Sequence, residues 1–466
     1  MARKLLILTP AKPAVFPLFM RKILLGALFF LPLMTLSATD APKKPNIIFI
    51  LGDDVGLGDI GFSGADNYKT PNLDALASGG TRYPRAYTVS LCGPSRATIM
   101  TGRYAFRTGA TNQDAVGRIK PTDEVFTPAL LKTAGYVTSA IGKWSQFSLT
   151  PKDFGFDDYL TFKGSGIYWN TQAKGKEYWV NGKTLPLQDK AYMPELMHAH
   201  LVNFITQHRE DPFYIYYSMS HIHTDILPTP DSAPDSKDLY RDNITYMDKM
   251  IGKLVAELER QKLRENTLII YFGDNGTTNG QAPTSTVGGR RLLGAKGSMQ
   301  DGGNRVPMVV NWPGTVPAGK VSEDLIDSSD FYPTFAELAG AKLPAGVVID
   351  GHSFAAQLKG EIGKPRDSIF IQLARNWYVL ERGWKLNQAG ELFDMSGAPW
   401  EEILVAADTQ DPVALAARKR LQATLDRLNP AGGHLDQGDP SGRHASNIEK
   451  KKNKKKENKQ EPTGEE

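Results

Sequence analysis

Three apolar runs, each ending in a polar loop, constrain the fold of this chain more than any other feature. In "KPNIIFILGDDVGLGD" the run 46–51 gives way to Gly-Asp-Asp. In "NTLIIYFGDNGTTNG" the run 268–272 gives way to Gly273-Asp274-Asn275-Gly276. In "DPFYIYYSMSHIHTD" the run 213–219 is followed by His221 and His223. A strand that is apolar at every position is covered on both faces, as in a mostly parallel sheet sandwiched by helices. Helical patterns lie between the runs, at 70–79, 128–134, 195–208 and 239–262. This alternation gives an α/β fold, in which ligands gather beyond the carboxyl ends of the strands. All three runs place acidic, amide or imidazole groups there.

The texture changes towards the C-terminus. Residues 366–395, including "SIFIQLARNWYVLERGWKLNQAGELFDM", show strand-like alternation broken by turns, which predicts a small antiparallel sheet with a helix at 413–428 beside it. Past Asn429 the chain turns Gly-, Pro- and Asn-rich and ends in "EKKKNKKKENKQEPTGEE", a composition that cannot build a core. The expected organisation is an α/β domain at 44–345, a C-terminal subdomain at 346–430 and a disordered Lys-rich tail at 431–466.

The chain begins with an address. "MRKILLGALFFLPLMTLSATDA" starts at Met20, with basic Arg21 and Lys22, an apolar run to Leu36, then Ser37 and Ala38. That is the layout of a secretory signal peptide, read here as residues 1–38, with Met20 as an alternative start. The run is shorter than the roughly 20 residues a membrane span needs, so no stable membrane anchor is expected. The destination is periplasmic or secreted. Net charge is only +4 over 466 residues, which gives no footing for nucleic-acid binding.

Export favours disulfides, yet Cys92 is the single cysteine and has no partner within the chain. It is therefore either a small buried apolar residue or chemically special. Its context, "TVSLCGPSRATIMTGRY", decides. Pro94 suits the first turn of a helix, where its missing N–H costs nothing, so a helix over 94–100 would face Cys92 with its N-terminus. Free N–H groups and the helix dipole favour an anion there, and Arg96 adds a permanent cation. A nucleophile at residue 92 would meet a tetrahedral anion with its charge already stabilised.

Cys-X-Pro-Ser-Arg followed by "ATIMTGR" resembles the signature of the type I, formylglycine-dependent sulfatases of the alkaline phosphatase superfamily. "PNIIFILGDDVGLGD", "TPNLDALASGGTRYPRAY", "GYVTSAIGKW", "YFGDNG", "GAKGSMQDGGNRVPMVVNWPG" and "ELFDM" resemble sulfatase segments in the family's order, across roughly residues 44 to 395. The resemblance implies an alkaline-phosphatase-like fold: a large mixed, mostly parallel sheet between helices, plus a small C-terminal antiparallel-sheet subdomain. It also implies that Cys92 is oxidised to Cα-formylglycine by a formylglycine-generating enzyme during maturation.

In such enzymes one hydroxyl of the hydrated formylglycine attacks the sulfur of a sulfate ester, and the other helps to expel sulfate. The resemblance makes Asp53, Asp54, Asp274 and Asn275, with the group at Cys92, the ligands of a divalent cation. Hard oxygen donors favour Ca²⁺, with Mg²⁺ as the alternative. Lys143 and Lys296 match the sulfate-binding lysines, and Arg96 would bridge the formylglycine and a sulfate oxygen. His223 matches the imidazole that protonates the leaving alcohol, with His221 as the alternative. His198, His200 and His208 share one predicted helix and read as structural or exposed.

There are two departures. Relatives carry a His two residues after the "GKW" lysine, where this chain has Ser145, and often a Glu where it has Asp301. Ser145 hydrogen-bonds but takes up no proton near neutral pH. The expected function is an exported sulfatase acting on a sulfated carbohydrate, with Trp169, Arg290 and Arg291 as candidate sugar contacts. The alternatives are a phosphonate or phosphate ester hydrolase of the same superfamily and a weakly active binder of sulfated glycans.

Overall fold

A computed structural model of the protein describes residues 43–144, 146–172 and 175–436. The expected signal peptide (1–38), Ser145 and residues 437–466 of the expected Lys-rich tail (431–466) lie outside the described residues.

The strands of the main sheet are β1 (Asn46–Gly52), β2 (Thr81–Arg82), β3 (Val137–Lys143), β4 (Asp158–Phe162), β5 (Glu177–Val180), β6 (Lys183–Pro186), β7 (Phe213–Met219), β8 (Thr267–Gly273), β9 (Met308–Asn311) and β10 (Lys320–Val321). Their order across the sheet is β10-β2-β9-β8-β1-β7-β3-β4-β5-β6. The central run β8-β1-β7-β3-β4 is parallel throughout. Antiparallel partners extend both sides of it.

Alternate residues of β1 serve opposite faces, which is why the strand reads as continuously apolar. Ile48 and Ile50 join the core beneath helices α3 (Met193–Gln207) and α4 (Leu239–Arg260). Ile47, Phe49 and Leu51 pack with Ala97, Ile99 and Met100 of α2 (Cys92–Thr101) and with Phe331 and Phe335 of α5 (Phe331–Ala339). Helix α1 (Pro71–Ser78) completes the first layer.

A separate antiparallel sheet comprises β11 (Ser368–Leu373), β12 (Asn376–Glu381), β13 (Trp384–Asn387), β14 (Leu392–Asp394) and β15 (Ile403–Leu404), in chain order. Phe370, Val379, Leu386 and Leu392 on one face bury Ala414, Leu421 and Leu425 of α6 (Pro412–Leu428). Ile369, Ile371, Tyr378 and Leu380 on the other pack against Tyr87 and Leu325 of the main body. The fold is the expected α/β architecture with a C-terminal antiparallel sheet. Among the described residues no helix is long and apolar enough to cross a membrane.

Candidate active site

Strand register assembles the site. Gly52 of β1 stands opposite Gly273 of β8, so Asp53 and Asp274 leave the sheet side by side, and Asp274 N–H donates to the Gly52 carbonyl at 2.9 Å. A Cβ on Gly273 would lie 2.4 Å from the Val55 carbonyl oxygen, so only glycine permits this approach. Asp54 adopts a left-handed backbone (φ 63°), uncommon for a side chain other than glycine. Its N–H donates to Asp274 Oδ1 at 3.0 Å. On the other side, Gly52 faces Met219 of β7, two residues before His221. Gly142, next to Lys143 at the end of β3, faces Ser218.

Cys92 is the first residue of α2 and is buried with the rest of that helix. The helix begins two residues earlier than its sequence pattern predicts, so Pro94 is its third residue rather than its first. The reason is that the first N–H with an intrahelical partner is that of Ser95, bonded to Leu91 at 3.1 Å, and a proline anywhere ahead of it costs no bond. Burial raises the Cys92 thiol pKa, with Lys143 and Lys296 opposing. A thiol kept protonated is a poor nucleophile.

Three carboxylates meet three cations. Lys143 Nζ contacts Asp53 Oδ1 and Oδ2 at 2.8 and 2.6 Å. Arg96 donates to Asp274 Oδ2 through Nε at 3.0 Å and Nη2 at 2.7 Å. Lys296 Nζ lies 2.5 Å from Asp54 Oδ1. Burial pushes the Asp53 pKa up, but Lys143, His223 and Arg96 outweigh it and hold the group below its ordinary value. Asp274 is raised, by burial and then by neighbouring Asp53.

The guanidinium of Arg96 also donates to Tyr216 at 3.2 Å and to Ser218. Fully buried on these partners, it braces Asp274. A permanent cation beside two buried carboxylates helps to balance their charge.

The cleft above these groups has a volume of about 420 Å³ and is lined by Asp54, Cys92, His223 and Lys296 together with Gln113, Ser165, Thr278 and Asn279. His223 Nδ1 donates to the Thr224 carbonyl at 2.7 Å. A carbonyl only accepts, which leaves Nε2, 3.8 Å from Asp54 Oδ2, as the exchangeable position. His221 lies behind the cleft among Tyr168, Tyr192 and Tyr246. Neither of its nitrogens has a partner among the described residues, and burial pushes its pKa down to about 3.

The helical histidines stand apart from the cleft: His200 pairs with Asp158, His208 with Asp211. Asp301 is buried beside Tyr87 and Arg305. Trp169 packs on Tyr192 and Arg290 lies over the Trp400 ring; neither they nor Arg291 are among the residues lining this cleft.

The loop bearing Lys296 is fastened from the C-terminal region. Leu293 N–H donates to the Pro399 carbonyl at 2.9 Å, and Asp301 N–H to Glu402 Oε1 at 3.0 Å. Glu402 is itself paired with buried Lys385.

The donor set fits a hard divalent cation. Asp54 Oδ2 and Asn275 Oδ1 are buried acceptors without a donor among the described residues. Ligand atoms of Asp53, Cys92 and Asp274, and of Asp53, Asp54 and His223, fall within 4.8 Å of one another. Oxygen donors of this kind suit Ca²⁺ or Mg²⁺. Sequence reasoning missed Gln113, Ser165, Thr278 and Asn279, polar loop residues with no local signal, and Gln146, which directly follows Ser145.

A sulfatase family model matches residues 45–341. The chain belongs to the sulfatase family. This sulfatase is 32% identical over 372 residues to N-acetylgalactosamine-6-sulfatase of Mus musculus, covering 72% of this chain and 70% of that one. It is 33% identical over 408 residues to arylsulfatase G of Mus musculus, covering 74% and 75%. Among solved structures it resembles Ps i-CgsB in complex with k-i-k-neocarrahexaose, with a TM-score of 0.75, 29% identity, and coverage of 87% and 96%. The phosphonate monoester hydrolase of Silicibacter pomeroyi shares the fold at a TM-score of 0.61 and 18% identity, covering 85% of this chain and 96% of that one. The sulfatase is a sulfuric ester hydrolase with the alkaline-phosphatase-like fold.

Proposed function

We propose that this sulfatase is exported and removes sulfate from a sulfated carbohydrate, using a formylglycine formed from Cys92 and a divalent cation, Ca²⁺ or Mg²⁺. The observation that carries this reading is the placement of Cys92 at the start of a buried helix, in a cleft shared with Asp54, His223 and Lys296 and floored by Asp53, Asp274 and Asn275.

The formylglycine, once formed by its generating enzyme, supplies an oxygen nucleophile where the thiol stands. The cation supplies neutralising charge at Asp53, Asp54, Asp274 and Asn275. The remaining work falls to the chain. Lys143 holds Asp53 in its ionised form, and Arg96 pairs with Asp274 out of reach of water. Lys296, on the cleft wall, offers its ammonium to a sulfate oxygen. His223, held through Nδ1, carries on Nε2 the proton that the leaving alcohol oxygen takes.

The carbohydrate assignment is supported by the names of the relatives: one refers to N-acetylgalactosamine-6-sulfate chemistry, and the Ps i-CgsB structure holds neocarrahexaose. The layout of residues 20–41 supports export.

Mass spectrometry of the tryptic peptide spanning residues 86–96, from a host that matures other sulfatases, tests the reading. An aldehyde or hydrate at Cys92 supports it. Unmodified cysteine alone removes the catalytic assignment and leaves a sulfated-glycan binder.

A further inference from the structure

Two carboxamides close on the side chain of Cys92. Gln113 Oε1 accepts from Cys92 Sγ at 3.4 Å and from Gly93 N–H at 3.0 Å. Gln146, 5% exposed, places Nε2 3.9 Å from the same sulfur. Its Oε1 is buried with no donor among the described residues. Residue 93 makes room for this arrangement: a Cβ there would stand 2.8 Å from Gln113 Oε1 and 3.1 Å from its Cδ. Neither glutamine belongs to the segments that carry the sulfatase resemblance.

We infer that Gln113 and Gln146 form a carboxamide clamp that favours the hydrated form of the formylglycine over the aldehyde. The inference rests on the proposed conversion of Cys92, whose sulfur stands in for the oxygen borne by Cβ. Hydration adds water across the C=O bond. The water oxygen bonds to carbon, the π pair moves to the carbonyl oxygen, and that oxygen takes one proton from the water. The product carries two O–H donors where the aldehyde carries none. Gln113 Oε1 keeps Gly93 N–H on one lone pair and uses the other for the side chain of residue 92, so a hydrate O–H replaces the thiol as donor where the aldehyde has none to give. Gln146 Oε1, on the carboxamide beside the same side chain, lacks a donor among the described residues, which the second O–H of the hydrate supplies. Gln146 Nε2 donates to an oxygen of either form and orients it. A carboxamide does not titrate, so the preference is independent of pH.

The test uses the matured full-length protein. The mass of the 86–96 peptide fixes the extent of conversion. The folded protein is then exposed to an aminooxy probe, which condenses with the aldehyde and not with the hydrate. Gln113→Met and Gln146→Met, which keep size but remove the acceptors, are expected to raise the initial labelling rate about fivefold to tenfold, the factor one hydrogen bond carries. Gln113→Glu, which keeps the acceptors, should label at the parental rate. Parental rates in fully converted methionine variants overturn the clamp and leave the formylglycine reading standing. A peptide carrying only the thiol overturns both. Should Gln146→Met fail to fold, Gln113→Met, on the cleft wall, decides alone.

Discussion

Lys143 Nζ sits 2.8 and 2.6 Å from the two carboxylate oxygens of Asp53, and neither side chain is exposed to solvent. Removing one partner strands a buried charge. Lys143→Ala is therefore expected to cost about 3–5 kcal/mol of stability, measured by denaturant unfolding. The double variant Asp53→Asn/Lys143→Met should recover most of that loss, because it removes both charges and keeps the volume. Equal destabilisation in single and double variants would show that the pair contributes through packing alone.

The orphaned acceptors Asp54 Oδ2 and Asn275 Oδ1 predict stabilisation by a bound cation. A chelator should lower the thermal midpoint, and Ca²⁺ at a hundredfold its dissociation constant should restore about 2.7 kcal/mol. Asn275→Ala should shift the midpoint of a Ca²⁺ titration upward. A melting curve indifferent to chelator and to added Ca²⁺ or Mg²⁺ would remove the metal site.

His223 is expected to matter in proportion to the basicity of the leaving group. His223→Ala should lower kcat on an alkyl or sugar sulfate by about 10²–10⁴-fold, and far less on a nitrophenyl sulfate, whose leaving oxygen needs no proton. Equal losses on both substrates would assign His223 to binding rather than proton delivery.

His221 predicts an acid-side loss of stability. Burial depresses its pKa from 6.5 to about 3 in the fold, so the unfolded chain takes up a proton that the native state refuses. The contribution is fully present above pH 6.5 and is lost progressively as pH falls towards 3. A depression of that size corresponds to roughly 5 kcal/mol at most. His221→Phe should flatten the pH dependence of unfolding over that window. An unchanged slope in the variant would mean that the imidazole charges within the fold.

The sheet was legible because residues 47–51 of β1 had to be apolar to meet helices on both faces, and the loops after β1, β7 and β8 were legible because α/β folds gather polar ligand-binding groups at the carboxyl ends of strands. Other features left no trace in local pattern. Arg96 reads as a cation near the nucleophile, yet its partners Tyr216 and Ser218 lie on a strand far away in sequence, and only the β1–β7–β3 register brings them to it. His221 and His223 look alike two residues apart, but the turn after β7 sends one into the core and the other into the cleft. Gln113 sits in an irregular loop whose conformation is fixed by tertiary contacts, so no periodicity marks it.

The bonds from Pro399 and Glu402 to the loop of Lys296 bear on the order of events at the ribosome. All strands of the parallel core have left the tunnel before the last antiparallel strands are made, so the acidic floor of the cleft is made early and the fastening of one of its walls late. A chain released before residue 402 would hold the nucleophile and the acidic floor, but not the fastening that sets the ammonium across from them. Premature termination in that interval should yield a protein that folds around its core and handles anions poorly.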